Sequence, residues 1–201
     1  MLGLPRSTEI SKILTKKNIY LKLNLNTSAK EDFDASISKI TIVNEISPVS
    51  ASVVAGESVS RFFVVHILLK KENFSEKAIV LLSKFIPHKT IFVLEYEGRA
   101  ALAVYETKLI TNEFQPVGDL TLSLQGLNLD EVWSNIVHTI QGGEWNEELT
   151  VAENIQQHIE ILNILKEIEK LEKQIKNEKQ PKKKFERVQK MKKLKEKLIY
   201  D

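Results

Sequence analysis

Restriction-type, metal-dependent nucleases need a carboxylate on one strand and an acid-x-lysine on the next, so that the acids hold Mg²⁺ and the lysine steadies the attacking water. This chain offers a partial version of that set. Glu45 stands near the end of the apolar run Ile40–Ile46, and Lys70 directly follows the run Phe62–Leu69. The residue two before Lys70 is Leu68, where a carboxylate is required, and Glu72 lies on the wrong side of the lysine. Glu45 and Lys70 are therefore the catalytic pair only of an alternative reading, a degenerate or unorthodox nuclease. Glu95 and Glu97, two apart on a third run, share a strand face and read as a solvated one.

The other reactive side chains are scattered. His66, His88, His138 and His158 have no ligand-like spacing, and with zero cysteines there is neither a thiolate metal site nor a disulfide framework. His66 falls inside an apolar run and reads as a hydrogen-bonded core histidine. Gly142-Gly143 is the one glycine pair and reads as a helix stop, since neither G-x-x-x-x-G-K-[ST] nor G-x-G-x-x-G occurs. No serine sits in a G-x-S-x-G turn. No metal or cofactor is expected.

Charge is unevenly spread. From Glu153 to Asp201 there are 14 Lys/Arg against 9 Asp/Glu, which leaves 15 against 18 in residues 1–152 of the 29 and 27 in the whole chain. The tail carries Lys182, Lys183, Lys184, Arg187, Lys190 and Lys193, a density that can neutralise phosphates without reading sequence. Only Phe185 and Tyr200 interleave these charges, too few for a base-stacking platform.

The elements that would position these residues follow from periodicity. Phe62–Leu69 is apolar on both faces and rich in β-branched residues, the pattern of a strand buried on both sides. A helix over Phe74–Ile86 and strands over Thr90–Glu97 and Ala100–Thr107 follow, the latter two joined by a turn at Glu97-Gly98-Arg99. A helix between two strands of one sheet predicts a right-handed crossover if the strands run parallel. Upstream, the pattern predicts a helix carrying Ile10, Ile13 and Leu14 with Ser7 or Thr8 as its cap. It then predicts a short strand over Tyr20–Leu25, a helix over Ala29–Ser38 capped by Thr27 or Ser28, and a strand over Lys39–Ile46. A brief strand is expected at Ser50–Val54 and a strand or extended segment at Asp119–Leu124, with a helix after Asn128-Leu129-Asp130.

Beyond Trp145 the period changes. Ile155, Ile159, Leu162, Leu165, Ile168, Leu171 and Ile175 recur at coiled-coil spacing, and Phe185, Val188, Met191, Leu194 and Leu198 repeat the pattern after Pro181. The fold class is α+β: a mixed β-sheet with packed helices over 1–145, then a C-terminal α-helical coiled-coil hairpin over 146–201. Ile159, Leu162, Ile168, Phe185, Met191 and Leu194 are the expected partner or self-association seam, a homodimer through the hairpin included. No run is apolar and long enough for a transmembrane helix, the N-terminus lacks a signal-peptide pattern, and a cytoplasmic location is expected.

The chain resembles the bacterial family known as domain of unknown function 4391. The resemblance lies in Leu2-Gly3-Leu4-Pro5-Arg6-Ser7-Thr8, in Ile40 through Ile46-Ser47-Pro48, in Phe85-Ile86-Pro87 leading into Ile91-Phe92-Val93-Leu94, and in the lysine-rich helix around Lys184–Lys195. It implies an accessory component of a restriction-modification or phage-defence system, working beside a helicase or DNA methyltransferase. A non-catalytic assembly subunit, docking the helicase or methyltransferase through its sheet domain and helical arm, is the leading expectation. A nuclease using Glu45 and Lys70 is one alternative, and a module holding DNA on the basic C-terminal helix is another.

Overall fold

The computed structural model describes residues 2–200, among which seven strands form one mixed sheet. The chain divides into two units, Met1–Gly143 and Glu144–Asp201. The first unit runs β1 (Glu9–Ile13), α1 (Lys16–Lys22), α2 (Thr27–Ser36), β2 (Ile37–Ile46), α3 (Pro48–Ala51), β3 (Phe62–Leu69) and α4 (Glu76–Phe85). It continues with β4 (Lys89–Tyr96), β5 (Arg99–Tyr105), β6 (Leu109–Thr111), β7 (Gln115–Pro116) and α5 (Leu129–Gln141). The second unit holds α6 (Val151–Asn177) and α7 (Pro181–Tyr200).

Strand order follows chain order from β1 to β6, with β7 on β5. Every pairing is antiparallel except β3 with β4, which are parallel and in register from Phe62↔Lys89 to Leu68↔Glu95. That parallel pair needs a long connection, and α4 supplies it. Alternation along β3 decides which helix covers which face. Phe63, Val65, Ile67 and Leu69 belong to the core formed with Ile19 of α1, Phe33 of α2, and Ile79 and Leu82 of α4. Phe62 points the other way, against Trp133 of α5 at 5.5 Å between ring centroids. Burying each of these large side chains contributes about 1.5–3 kcal/mol.

Four local predictions are corrected. Glu9–Ile13 is an edge strand rather than a helix, because both residues expected as caps are engaged elsewhere. Ser7 Oγ donates to Ser50 O at 2.6 Å; Thr8 Oγ1 donates to Pro5 O at 2.7 Å and accepts from Asn44 Nδ2 at 2.8 Å. Tyr20–Leu25 is not a strand; it spans the end of α1 and the turn after it, with Ile19 fully buried and Asn24 at a positive φ of 48°. Ser50 falls in α3, where Ser47 forms a capping box with it and Pro48 occupies the first turn. Asp119–Leu124, read as a strand or an extended segment, is largely extended past Asp119 and bridges Leu2 through Thr121. In α2 the cap is Asn26, whose Oδ1 accepts from Ala29 N at 2.9 Å, rather than Thr27 or Ser28.

Two polar clusters fix these elements. Lys16 Nζ donates to Asp34 Oδ1 (2.7 Å) and to Ile37 O, while Tyr20 OH donates to the same Asp34 oxygen (2.8 Å), tying α1 to α2 and the start of β2. The Lys16 ammonium holds the Asp34 carboxyl below its ordinary value, and burial together with Asp34 pushes the Tyr20 phenol up. At the other end of the unit, Asp130 in the first turn of α5 accepts the backbone N–H groups of Glu57 (2.7 Å), Ser58 (3.2 Å) and Val59 (2.7 Å). Gly56 is required beside it, since a Cβ there would lie 2.3 Å from Asp130 Cγ.

Asp130→Ala removes the acceptor of three N–H groups, of which that of the buried Val59 is the least open to water, and should lower the unfolding free energy by about 1 kcal/mol. Gly56→Ala should lower it in the same direction. Urea denaturation of both variants checks this, and wild-type midpoints would show that the loop over 56–59 is not held by this carboxylate.

Candidate functional site

The second unit is built by helical periodicity and local capping. Thr150 Oγ1 accepts from Glu153 N, and Glu153 Oε2 accepts from Thr150 N at 2.8 Å, a capping box that starts α6. Ile161, Ile164, Ile168, Leu171 and Ile175 lie at alternating three- and four-residue spacing and are buried or half-buried. On α7 the half-buried stripe is Val188, Met191, Leu194 and Leu198. Crossed ion pairs fix the antiparallel register: Arg187 with Glu178 (2.7 Å), Lys190 with Glu167 (2.6 Å) and Lys195 with Glu172 (3.0 Å).

Glu178 governs the turn. Its Oε1 accepts from Gln180 N at 3.0 Å and its Oε2 meets Arg187, and Pro181 opens α7 where a missing N–H is harmless. The Gln180 N–H is the chief cause that holds the Glu178 carboxyl below its ordinary value; Arg187 and Lys183 add to it.

The six residues expected to form the association seam divide into two groups. Ile168 is buried and Met191 and Leu194 are half-buried by the packing of α6 on α7, and Ile159 is half-buried on α6. Leu162 and Phe185 are 40% and 63% exposed, and Leu165, which is not one of the six, is 47% exposed. The six basic residues divide similarly. Arg187 and Lys190 are spent on α6 carboxylates. Lys182, Lys183, Lys184 and Lys193 are exposed and, among the described residues, form no ion pair. Lys166 and Lys170 add to the basic surface of α6 along an open groove of about 460 Å³, where Lys173 is paired with Glu169 and Arg187 with Glu178. The side chain of Tyr200 lies outside the described residues.

The sheet does not bring the alternative nuclease pair together. Glu45 is opposite Phe63 in the antiparallel register, so Lys70 lies seven residues further along the β3 direction, roughly 23 Å away at the rise of a strand. Glu45 instead accepts from Arg61 Nη1 at 2.9 Å. Lys70 stands at the opposite end of the sheet, its N–H bonded to Ser36 O. Among the described residues no group of three or more His, Asp or Glu is arranged to hold a metal ion. Glu95 is not simply solvated: its Oε2 lies 2.6 Å from Nε2 of His66, and both side chains are about a quarter exposed. His66 thus has its partner, but on a half-open sheet face rather than in the core.

A polar constellation that sequence order hides lies where β3 and β4 begin. Lys89 Nζ donates to both oxygens of Glu106, at 2.6 Å to Oε1, and Trp133 Nε1 donates to that same oxygen at 2.8 Å. The three residues come from β4, from just past β5 and from α5, and no spacing in the chain signals them.

Comparison with known proteins adds one match. The model of the family described as domain of unknown function 4391 matches residues 2–198. No curated protein and no solved structure matches the chain.

Glu178→Gln should loosen the hairpin turn. Amide exchange at residues 176–188 should quicken near neutral pH while the sheet is unaffected. A carboxyl whose folded value is depressed stabilises above its unfolded value, about 4.3 for glutamate, and that contribution fades as pH falls through the lower folded value. The difference between variant and wild type should therefore close below that window. A difference that persisted in acid would place the effect outside the Glu178 charge.

Proposed function

The chain belongs to the domain of unknown function 4391 family, and from that premise we propose that it is a non-catalytic accessory subunit of a bacterial restriction-modification-like or phage-defence system. Its hairpin is the docking arm for the helicase or DNA methyltransferase of that system. One observation carries the reading. The hairpin closes its own seam through Ile168 and Leu171 yet leaves Leu162, Leu165 and Phe185 exposed on the same two helices. Apolar anchors rimmed by lysines suit a partner surface with an apolar centre and an acidic margin. The basic surface favours a second reading, in which the arm holds a nucleic-acid backbone through Lys182, Lys183, Lys184 and Lys193.

Co-expression of the chain with a helicase or DNA methyltransferase of such a system tests the first reading. A complex should form that survives nuclease treatment, and Leu162→Asp with Leu165→Asp should weaken it at least tenfold while leaving helix content unchanged. A complex indifferent to those substitutions would overturn the docking role. For the second reading, binding of a DNA duplex should weaken steeply with salt. Lys182→Ala with Lys183→Ala and Lys184→Ala should reduce the log–log slope by about 0.9 for each phosphate that is no longer neutralised. A slope unchanged by the triple substitution would remove that reading.

A further inference from the structure

The sheet ends on one side in an open cleft of about 440 Å³, within the roughly 300–1,000 Å³ of small-molecule sites. It forms where parallel β3 and β4 both begin, so that the loop before β3 and the connection from α4 to β4 face one another across it. The loop contributes Ser58, Ser60 and Arg61; the last turn of α4 contributes Lys84 and the connection His88; the far wall is Lys89 with Glu106.

The charges of this cleft are not balanced. Glu106 is the sole carboxylate among its described lining residues, and both its oxygens already accept from Lys89, with Trp133 adding a third bond. It has little capacity left to repel an anion or to attract a cation. Arg61 gives one Nη1–H to Glu45, and a guanidinium carries five N–H donors, so four remain. Lys84 is exposed and makes no ion pair among the described residues, and it offsets the negative pole at the end of α4. The hydroxyls of Ser58 and Ser60 donate to no described residue, and the His88 ring is held edge-on against Phe63 at 5.5 Å.

Part of the donor set is also held in place. Asp130 captures three successive backbone N–H groups of the loop that carries Ser58, and Arg61 is braced by Glu45. Donors fixed before a ligand arrives lose less freedom on binding it.

We propose that this cleft binds a phosphorylated small molecule, with its phosphate taken by Arg61, Lys84 and the hydroxyls of Ser58 and Ser60. A guanidinium fork, an ammonium and two hydroxyls offer more donors than a carboxylate can use, whereas a terminal phosphate presents three acceptor oxygens. The site shares no residue with the hairpin and stands or falls independently of the docking role.

Titration calorimetry and amide chemical-shift mapping of the full chain, with inorganic pyrophosphate and with ADP as probes, test the proposal. Pyrophosphate should bind and shift the amides of Ser58, Ser60, Arg61 and His88; tighter binding of ADP would identify a nucleotide as the source of the phosphate. Lys84→Ala, at an exposed position without an ion pair, should weaken binding about tenfold with no change in fold, and Arg61→Ala should do the same. The α7 triple variant Lys182→Ala, Lys183→Ala, Lys184→Ala should bind like wild type. Absence of binding by wild type overturns the site, as does binding that the α7 variant removes while Lys84→Ala leaves it intact.

Discussion

A strand that is apolar on both faces cannot be left with either face in water, and β3 imposes that condition on the first unit. Phe62, Val64, Val65 and Ile67 are completely buried. One face takes α4 and, beside it, α1 and α2; the other takes α5. Both long edges are occupied too, by β2 and β4. Pairing β3 with β4 in parallel forces the chain to return over the sheet before β4 can start, and α4 is that return. The same condition determines what meets at the end of the sheet. Because β3 and β4 begin side by side, Arg61 and His88 become near neighbours from opposite loops. The antiparallel return of β5 then brings Glu106 back to Lys89.

The second unit satisfies its apolar residues by another route. Its stripes are narrow and, among the described residues, only Ile155, Ile168 and Leu171 of its apolar residues are buried below a tenth, so packing specifies the register weakly. Ion pairs across the two helices supply what the stripe lacks. They draw on Glu167, Glu172 and Glu178, the carboxylates that would otherwise neutralise the lysines of α7. Each pair spends one cation with each carboxylate, so closing the hairpin leaves the excess of Lys/Arg over Asp/Glu unchanged and places it on the unpaired lysines. The lysines that remain are those of the outer face, which faces water or a partner.

Elements with a strong period were legible in the sequence: β2 through β5, α4, α5 and the hairpin all follow from alternation, helical spacing and the breakers Pro87, Gly98, Gly142 and Pro181. What escaped was decided by tertiary contacts. β1 reads as a helix start because Ser7 and Thr8 are good caps, but Thr8 is buried and bonded to Asn44, thirty-six residues away. α1 reads as a strand because Tyr20–Leu25 alternates, yet the fully buried Ile19 and the half-buried Leu23, four apart, turn one helical face to the core. The hairpin seam was legible, but not which of its residues the chain itself would cover. The polar wall of Lys89, Glu106 and Trp133 was invisible, since its residues are joined by register and not by spacing.

Strand direction explains why Glu45 pairs with Arg61 and not with a nuclease lysine. Two charged residues that each close a strand come together only when the strands run parallel. β2 and β3 are antiparallel, so the end of β2 meets the start of β3, and Glu45 finds Arg61 while Lys70 is carried to the far edge beside α2. In that position Glu45 cannot share a metal with the end of β3. It orients a guanidinium whose remaining donors open into the cleft, and a carboxylate that braces an arginine serves anion recognition better than it serves hydrolysis.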